Sequence, residues 1–223
     1  MMLLLVAVLA LAFPLAADAA TVIAGVVRSQ SGQPLPGLAL LEKGEIHNNR
    51  WDRGALVDAS GRFTIEVAEG GQYGLHIYSS SYIYKPNAVN VETGKTLQVD
   101  VVLVPEPTRA NDPIIKRLEF ASEDGKGRPT LVRLDVSDPN GDLGPQVMAF
   151  HAATGRAFAM KPPRFVWSLK SNYPAGIYRL ELDSGKATSD PRDWHFVVAD
   201  HKCNTTDVVS FPHEPKPPRV IAP

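Results

Sequence analysis

The punctuation of this sequence is what most narrows its fold. From residue 21 onward, short runs rich in β-branched and aromatic residues alternate with clusters of Gly, Pro, Asp, Asn and Ser. Short strands joined by tight turns are written this way. Residues 21–27 read as a first strand, closed by Ser29-Gln30-Ser31-Gly32. Gln33-Pro34-Leu35-Pro36-Gly37 is a turn into a strand over 38–42. Strands over 55–58 and 62–67 flank Asp58-Ala59-Ser60-Gly61, with glycine where a hairpin connection calls for a positive φ. Phe63, Ile65 and Val67 alternate with polar residues, and Tyr73, Leu75 and Ile77 repeat the pattern after Gly70-Gly71. Such alternation gives a strand one buried face. Residues 88–91 and 96–103, separated by Glu92-Thr93-Gly94-Lys95, bring the set to about seven strands without a helical period, the number expected of a small sandwich.

A second series follows. Residues 105–113, with prolines at 105, 107 and 113, have the composition of a linker. Residues 114–120, 130–136, 146–151, 165–169, 177–182 and 194–198 are strand-like, with Val132, Leu134 and Val136 on one face and Trp194, Phe196 and Val198 on another. Gly176-Ile177-Tyr178-Arg179-Leu180 repeats a G-x-Y-x-L pattern seen at Gly71-Gln72-Tyr73-Gly74-Leu75. The fold class expected is all-β, two β-sandwich domains over 21–104 and 114–201, followed by a Pro-rich tail over 202–223.

Composition bounds the function classes. Lys+Arg is 23 and Asp+Glu is 24, so no net field draws the chain to nucleic acid or to an anionic membrane. The nineteen prolines and seventeen glycines suit a protein of many turns. Residues 3–15 form an apolar run of signal-peptide length, followed by the small-x-small spacing Ala17-Asp18-Ala19. Residues 1–20 are therefore expected to be a cleaved signal peptide, with export to the periplasm or beyond and no membrane insertion afterwards. No Lys or Arg precedes the run, which departs from the usual pattern. Cys203 is the single cysteine, so internal disulfides are excluded and stability has to come from packed cores.

The turn residues of the first half carry a family likeness. Gly25-Val26-Val27, Gly32 through Gly37, Val57 through Phe63 and Gly71 through Leu75 occur in order and at matching spacing. Together they resemble the carboxypeptidase regulatory-like domain, a prealbumin-like (transthyretin-like) sandwich, over roughly residues 21–104. The resemblance implies a fold far more than a function. The second half is loosely similar to a bacterial Ig-like module. Among prealbumin-like enzymes, ring-cleaving dioxygenases hold iron with two Tyr and two His, the latter as a His-x-His pair. Leu75-His76-Ile77-Tyr78 supplies one histidine at the comparable place, and the closing Tyr-Arg-Gly-Ser of hydroxyisourate hydrolases is absent. No catalytic set assembles, so a non-enzyme is expected.

Two places stand out as candidate sites. Tyr78, Tyr82 and Tyr84, interleaved with Ser79, Ser80 and Ser81, form an aromatic loop, with Trp51 a candidate for the same rim. Tyr and Ser in one loop suit recognition of a glycan or of an envelope or secreted protein; covering the end of the sandwich is the other use of the same rings. Asp135, Asp138, Asn140 and Asp142 place oxygen ligands at alternate positions, as calcium loops do. Pro139-Asn140-Gly141 is at the same time a strong hairpin turn. His151, His201, Cys203 and His213 with Met148 and Met160 offer a soft set for copper at spacings that match no closed zinc motif. The expectation is an exported, non-catalytic binding protein; a periplasmic copper- or calcium-binding protein and a structural accessory of an envelope complex are the alternatives.

Overall fold

The computed structural model describes residues 19–45, 50–83, 85–106, 112–122, 129–164, 172–182 and 190–212. Among them the chain is all-β, with one 3₁₀ turn at Pro191–Asp193. The first half supplies β1 (Thr21–Ser29), β2 (Gly37–Lys43), β3 (Trp51–Val57), β4 (Arg62–Val67), β5 (Gly71–Tyr78), β6 (Lys85–Val91) and β7 (Thr96–Leu103). The second supplies β8 (Ile114–Ala121), β9 (Leu131–Ser137), β10 (Leu143–His151), β11 (Arg156–Ala159), β12 (Gly176–Glu181), β13 (Trp194–Asp200) and β14 (Val209–Ser210). The expected signal residues 1–18, linker residues 107–111 and strand 165–169 lie outside the described residues.

Two three-stranded sheets, ordered β4-β1-β7 and β12-β9-β8, accompany one eight-stranded sheet ordered β14-β13-β10-β11-β3-β2-β5-β6. β1 runs antiparallel to β4 and parallel to β7, the latter in register from Val22↔Thr96 to Ser29↔Leu103. The first core lies between the sheet of β1 and the β3-β2-β5-β6 half of the long sheet, where Ile23, Phe63 and Ile65 meet Leu41, Leu75 and Ile77. The second lies between the sheet of β9 and the other half, where Leu134, Val136 and Tyr178 meet Val147, Trp194 and Phe196. The hairpin between β3 and β4 explains its own sequence. The Asp58 carboxylate accepts from Ser60 Oγ at 2.7 Å, Ser60 N at 2.8 Å and Arg62 N at 2.9 Å. Those bonds, Ser60 Oγ first, hold its carboxyl below the ordinary value. Gly61 follows at φ +75°, and a Cβ there would stand 2.3 Å from the Val27 carbonyl oxygen.

A third core joins the halves. Leu38, Leu40 and Tyr78 from the first half pack with Met148, Phe150, Ala157, Val197 and Ala199 from the second. In a flat sheet β2 and β10 would stand three strand spacings apart, about 14 Å, too far for side chains to touch. The long sheet is therefore folded at β11–β3, and its two halves cover each other on the faces turned away from the three-stranded sheets. The crease is narrow. Arg156↔Arg53 is the register pair between β11 and β3. Around it, the Gly54 N–H donates to the Gly155 carbonyl at 2.8 Å and Arg53 Nη1 donates to the Thr154 carbonyl at 3.0 Å. A Cβ on Gly54 would meet Leu40 Cδ2 at 2.6 Å, the Ala39 carbonyl at 2.8 Å and Phe150 Cδ2 at 3.0 Å. Glycine is what lets the second half close onto the first at this point.

Strands buried on both faces have no polar face to alternate, so they read as apolar runs. Leu38-Ala39-Leu40-Leu41 sends Ala39 and Leu41 to the first core and Leu38 and Leu40 to the third. Val147-Met148-Ala149-Phe150 divides likewise between the second and third. One irregularity adds to the junction. β3 carries an extra residue between Gly54, opposite Leu40, and Trp51, opposite Glu42. That bulge turns Trp51 from the first-core side, where Val57 points, to the third core.

Residues 202–212 correct the expected start of the tail. The prolines beyond Phe211 dominated the composition, but this stretch is packed: β14 pairs with β13 through Val209↔Phe196, and Phe211 meets Phe120 edge-on at 5.3 Å. The short β11 was also absent from the expectations. Among the described residues, no helix is long and apolar enough to cross a membrane.

Candidate functional site

The aromatic residues expected on a loop are drawn inward. Tyr78 is the last residue of β5, opposite Leu38, and is 0% exposed in the third core. This corrects its expected place on a surface loop. Alternation with His76 put it on one face of β5 as the sequence implied, but the second half of the protein covers that face. The rings of His76 and Tyr78 lie nearly parallel with centroids 6.5 Å apart. His76 Nε2 stands 3.1 Å from Glu42 Oε2, both side chains being fully enclosed, and the Trp51 ring leans on the imidazole at 4.6 Å. Trp51 is half-buried and packs on the third core. Tyr82 is half-buried against the first core, bridged to Pro105. Tyr84 lies outside the described residues. The intervening serines are engaged: Ser79 Oγ donates to the Pro36 carbonyl at 2.9 Å, and Ser80 Oγ donates to Asp207.

The acidic turn between β9 and β10 is a compact hairpin connection. Gly141 sits at φ +72° and its N–H donates to the Asp138 carbonyl at 3.3 Å. Asp135 is inside β9, opposite Ile177 and Arg117, and does not join the turn. Burial, with the charges on Asp142 and Asp200 behind it, raises the Asp138 carboxyl above its ordinary value. Burial raises Asp200 as well. A cation is already present, since Lys202 Nζ is 2.8 Å from Asp142 Oδ2. The Asn140 N–H points back to Asp138 Oδ1 at 3.4 Å. Among the described residues, no three His, Cys, Asp or Glu side chains converge in a metal-holding group. Met148 is in the third core and Met160 in the second. His151 is buried beside Trp194, with Nδ1 2.8 Å from Thr154 Oγ1, and burial lowers its pKa. Cys203 packs on the third core, where burial raises its thiol. His213 lies outside the described residues.

The recess that both halves build is at the crease. A groove of about 430 Å³ is bounded by Arg53, Gly54, Ala55 and Leu56 of β3, by Thr64, Ile65 and Glu66 of β4, and by Phe150, Ala152, Thr154 and Gly155 around the β10–β11 turn. Leu56 is 43% exposed, a large apolar side chain left in water. Arg53 and Glu66 are the charged residues of its lining. Sequence reading did not single out these residues. Gly54 falls inside β3 only in the structure, since the expected strand began at residue 55; a glycine there marks a close approach of another backbone.

Fold and site together define an all-β protein of two sandwiches sharing a folded sheet, with a groove at the fold line. Neither a family model nor a curated protein matches the chain. Solved structures similar to it include a type II cohesin–X-dockerin complex from Acetivibrio cellulolyticus, 20% identical, TM-score 0.30, covering 38% of this chain and 58% of that one. This chain thus spans a little over half the length of that relative. A candidate carbohydrate-binding protein from Bacteroides uniformis is 12% identical, TM-score 0.31, over 86% of this chain and 97% of that one. A streptococcal ancillary pilin is 13% identical, TM-score 0.33, over 86% and 58%. At such scores the likenesses carry no argument about what this chain binds.

Proposed function

We propose that this chain is an exported, non-catalytic binding protein whose recognition surface is the groove at the crease. The observation that carries the reading is that both sandwiches contribute walls to one recess, while the third core holds those walls in fixed relation. Sites between joined units are where recognition surfaces tend to form. Export is supported by the apolar run over residues 3–15 and the Ala17-Asp18-Ala19 spacing. The regulatory-like character of the first sandwich is supported by its turn motifs, with Gly61 in the left-handed conformation they call for. The aromatic loop contributes less to the reading than its composition suggested, since Tyr78 is enclosed.

The test is site-specific photo-crosslinking in the cells that make the protein. A benzophenone side chain is placed at Leu56, in the groove, or at Val102, equally exposed at 44% on β7. A defined adduct is expected from position 56 and none from 102. Adducts of equal yield at both positions, or none at 56, would overturn the proposal. A second reading, that of a structural accessory acting as a spacer, draws on the same third core, because a fixed junction transmits position. It expects no adduct at 56.

A further inference from the structure

Two walls of the groove are strand edges rather than strand faces. Side chains of a strand alternate between faces, so three consecutive residues line one recess only through the edge of the strand. Thr64, Ile65 and Glu66 do so. Ile65 is 2% exposed, its side chain in the first core. Since the Val27 N–H donates to the Gly61 carbonyl and Ile23 stands opposite Ile65, the Ile65 N–H and C=O turn to β1, and the outward main-chain groups belong to its neighbours Thr64 and Glu66. Among the described residues β4 pairs with β1 alone. In an antiparallel pair, alternate residues turn their N–H and C=O away from the partner. The groove side of β4 therefore presents main-chain donors and acceptors to whatever enters. Across the recess, Arg53, Gly54, Ala55 and Leu56 are likewise consecutive, and β11 meets β3 at one register pair.

The side chains narrow the occupant. Sugar recognition calls for an exposed aromatic ring to stack on, and Phe150, the aromatic residue among the lining residues, is 2% exposed. Arg53 lines the groove with its side chain 38% exposed; Nη1 donates to the Thr154 carbonyl at 3.0 Å and Nε is ion-paired with Asp52 at 4.0 Å, which leaves Nη2 for an acid. Leu56 offers an apolar contact one side-chain step from the edge.

We infer that the groove receives an extended peptide segment of a partner protein, added as a strand along β4, with an acidic side chain toward Arg53 and an apolar one over Leu56. Main-chain hydrogen bonds supply the affinity in such strand addition, and alternate side chains supply the selectivity. The inference rests on the groove being the recognition surface and names what it recognises.

The probe is a random dodecapeptide display library, selected on the full chain and counter-selected on a Leu56→Asp variant. Leu56 is exposed, so that substitution leaves the fold intact, which far-UV circular dichroism checks. Enriched peptides are expected to carry an acidic residue and to weaken roughly tenfold or more on Arg53→Glu, the scale on which a charge-assisted hydrogen bond contributes to affinity. N-methylation along the peptide is expected to abolish binding at alternate positions and spare the others, because only every second N–H faces β4. Amide exchange in the Thr64–Glu66 stretch should slow when the peptide is bound. An absence of enriched peptides overturns the inference, as does binding indifferent to the parity of N-methylation. A glycan array run beside it separates the two levels: glycan binding lost in Leu56→Asp would keep the groove as the recognition surface and overturn strand addition.

Discussion

Replacing Phe150 with Ala tests whether the two sandwiches share a core or merely touch. The ring is 2% exposed, closes against the Gly54 backbone, and is one of two aromatic rings among the fully buried members of the third core. Truncating a buried Phe to Ala costs about 3–5 kcal/mol, from lost transfer energy and the cavity left behind. For a chain of this size each kcal/mol lowers the melting temperature by about 2–4 °C, so a fall of roughly 6–20 °C is expected. The loss is local to the junction, so the halves should also uncouple. Differential scanning calorimetry is expected to show one transition in the parent protein and two in Phe150→Ala. The calorimetric enthalpy of the variant should then exceed its van't Hoff enthalpy. Val102→Ala, on an exposed position, serves as the control and should stay within about 0.5 kcal/mol. A variant that melts within about 2 °C of the parent in one transition would show that the third core does not couple the halves.

Two further predictions concern charge. Glu42→Gln breaks the enclosed pair with His76 and should cost about 3–5 kcal/mol in urea unfolding, whereas replacing both residues with Leu should cost much less. A double variant as unstable as the single one would contradict the view that breaking the enclosed Glu42–His76 contact causes the loss. At Asp138 the folded carboxyl is raised above its unfolded value of 3.8, chiefly by burial. Its contribution to stability is therefore fully present below that value and is lost as pH rises through the folded one. Asp138→Asn should raise the melting temperature at neutral pH and leave it unchanged near pH 3, at roughly which both states of the parent are protonated. An equal shift at both pH values would mean that the carboxylate charge is not the cause.

Much of the fold was legible because a strand with one buried face writes its own signature. Phe63, Ile65 and Val67 alternate, and the structure buries all three in the first core. The hairpin at Asp58 and Gly61 was equally readable, since the side chain and the φ angle that make the turn are local properties. The junction was written in a different way. Leu38 through Leu41 and Val147 through Phe150 are apolar throughout, and such a run says that both faces are covered without saying by what. Tyr78 shows the consequence: its place on the strand was correct, and its environment depended on residues some seventy positions away. Composition misled at residues 202–212, where prolines beyond Phe211 masked an apolar segment that packs. The groove had almost no sequence signal, because main-chain edges line it and main chain is the same in every residue.

The parallel pairing of β1 with β7 has a mechanical meaning. The chain enters β1 at one end of the ladder and leaves β7 at the other, with eight residue pairs between Val22↔Thr96 and Ser29↔Leu103. Tension applied between the entry to β1 and the segment leaving β7 would slide the two strands past each other. All the bonds of the ladder would then bear load together, instead of opening one after another as they do when a hairpin is peeled from its ends. The first sandwich is thus built to resist stretching along this axis, while a pull applied across the two halves would load the single register pair at Arg53 and Arg156 together with the third core.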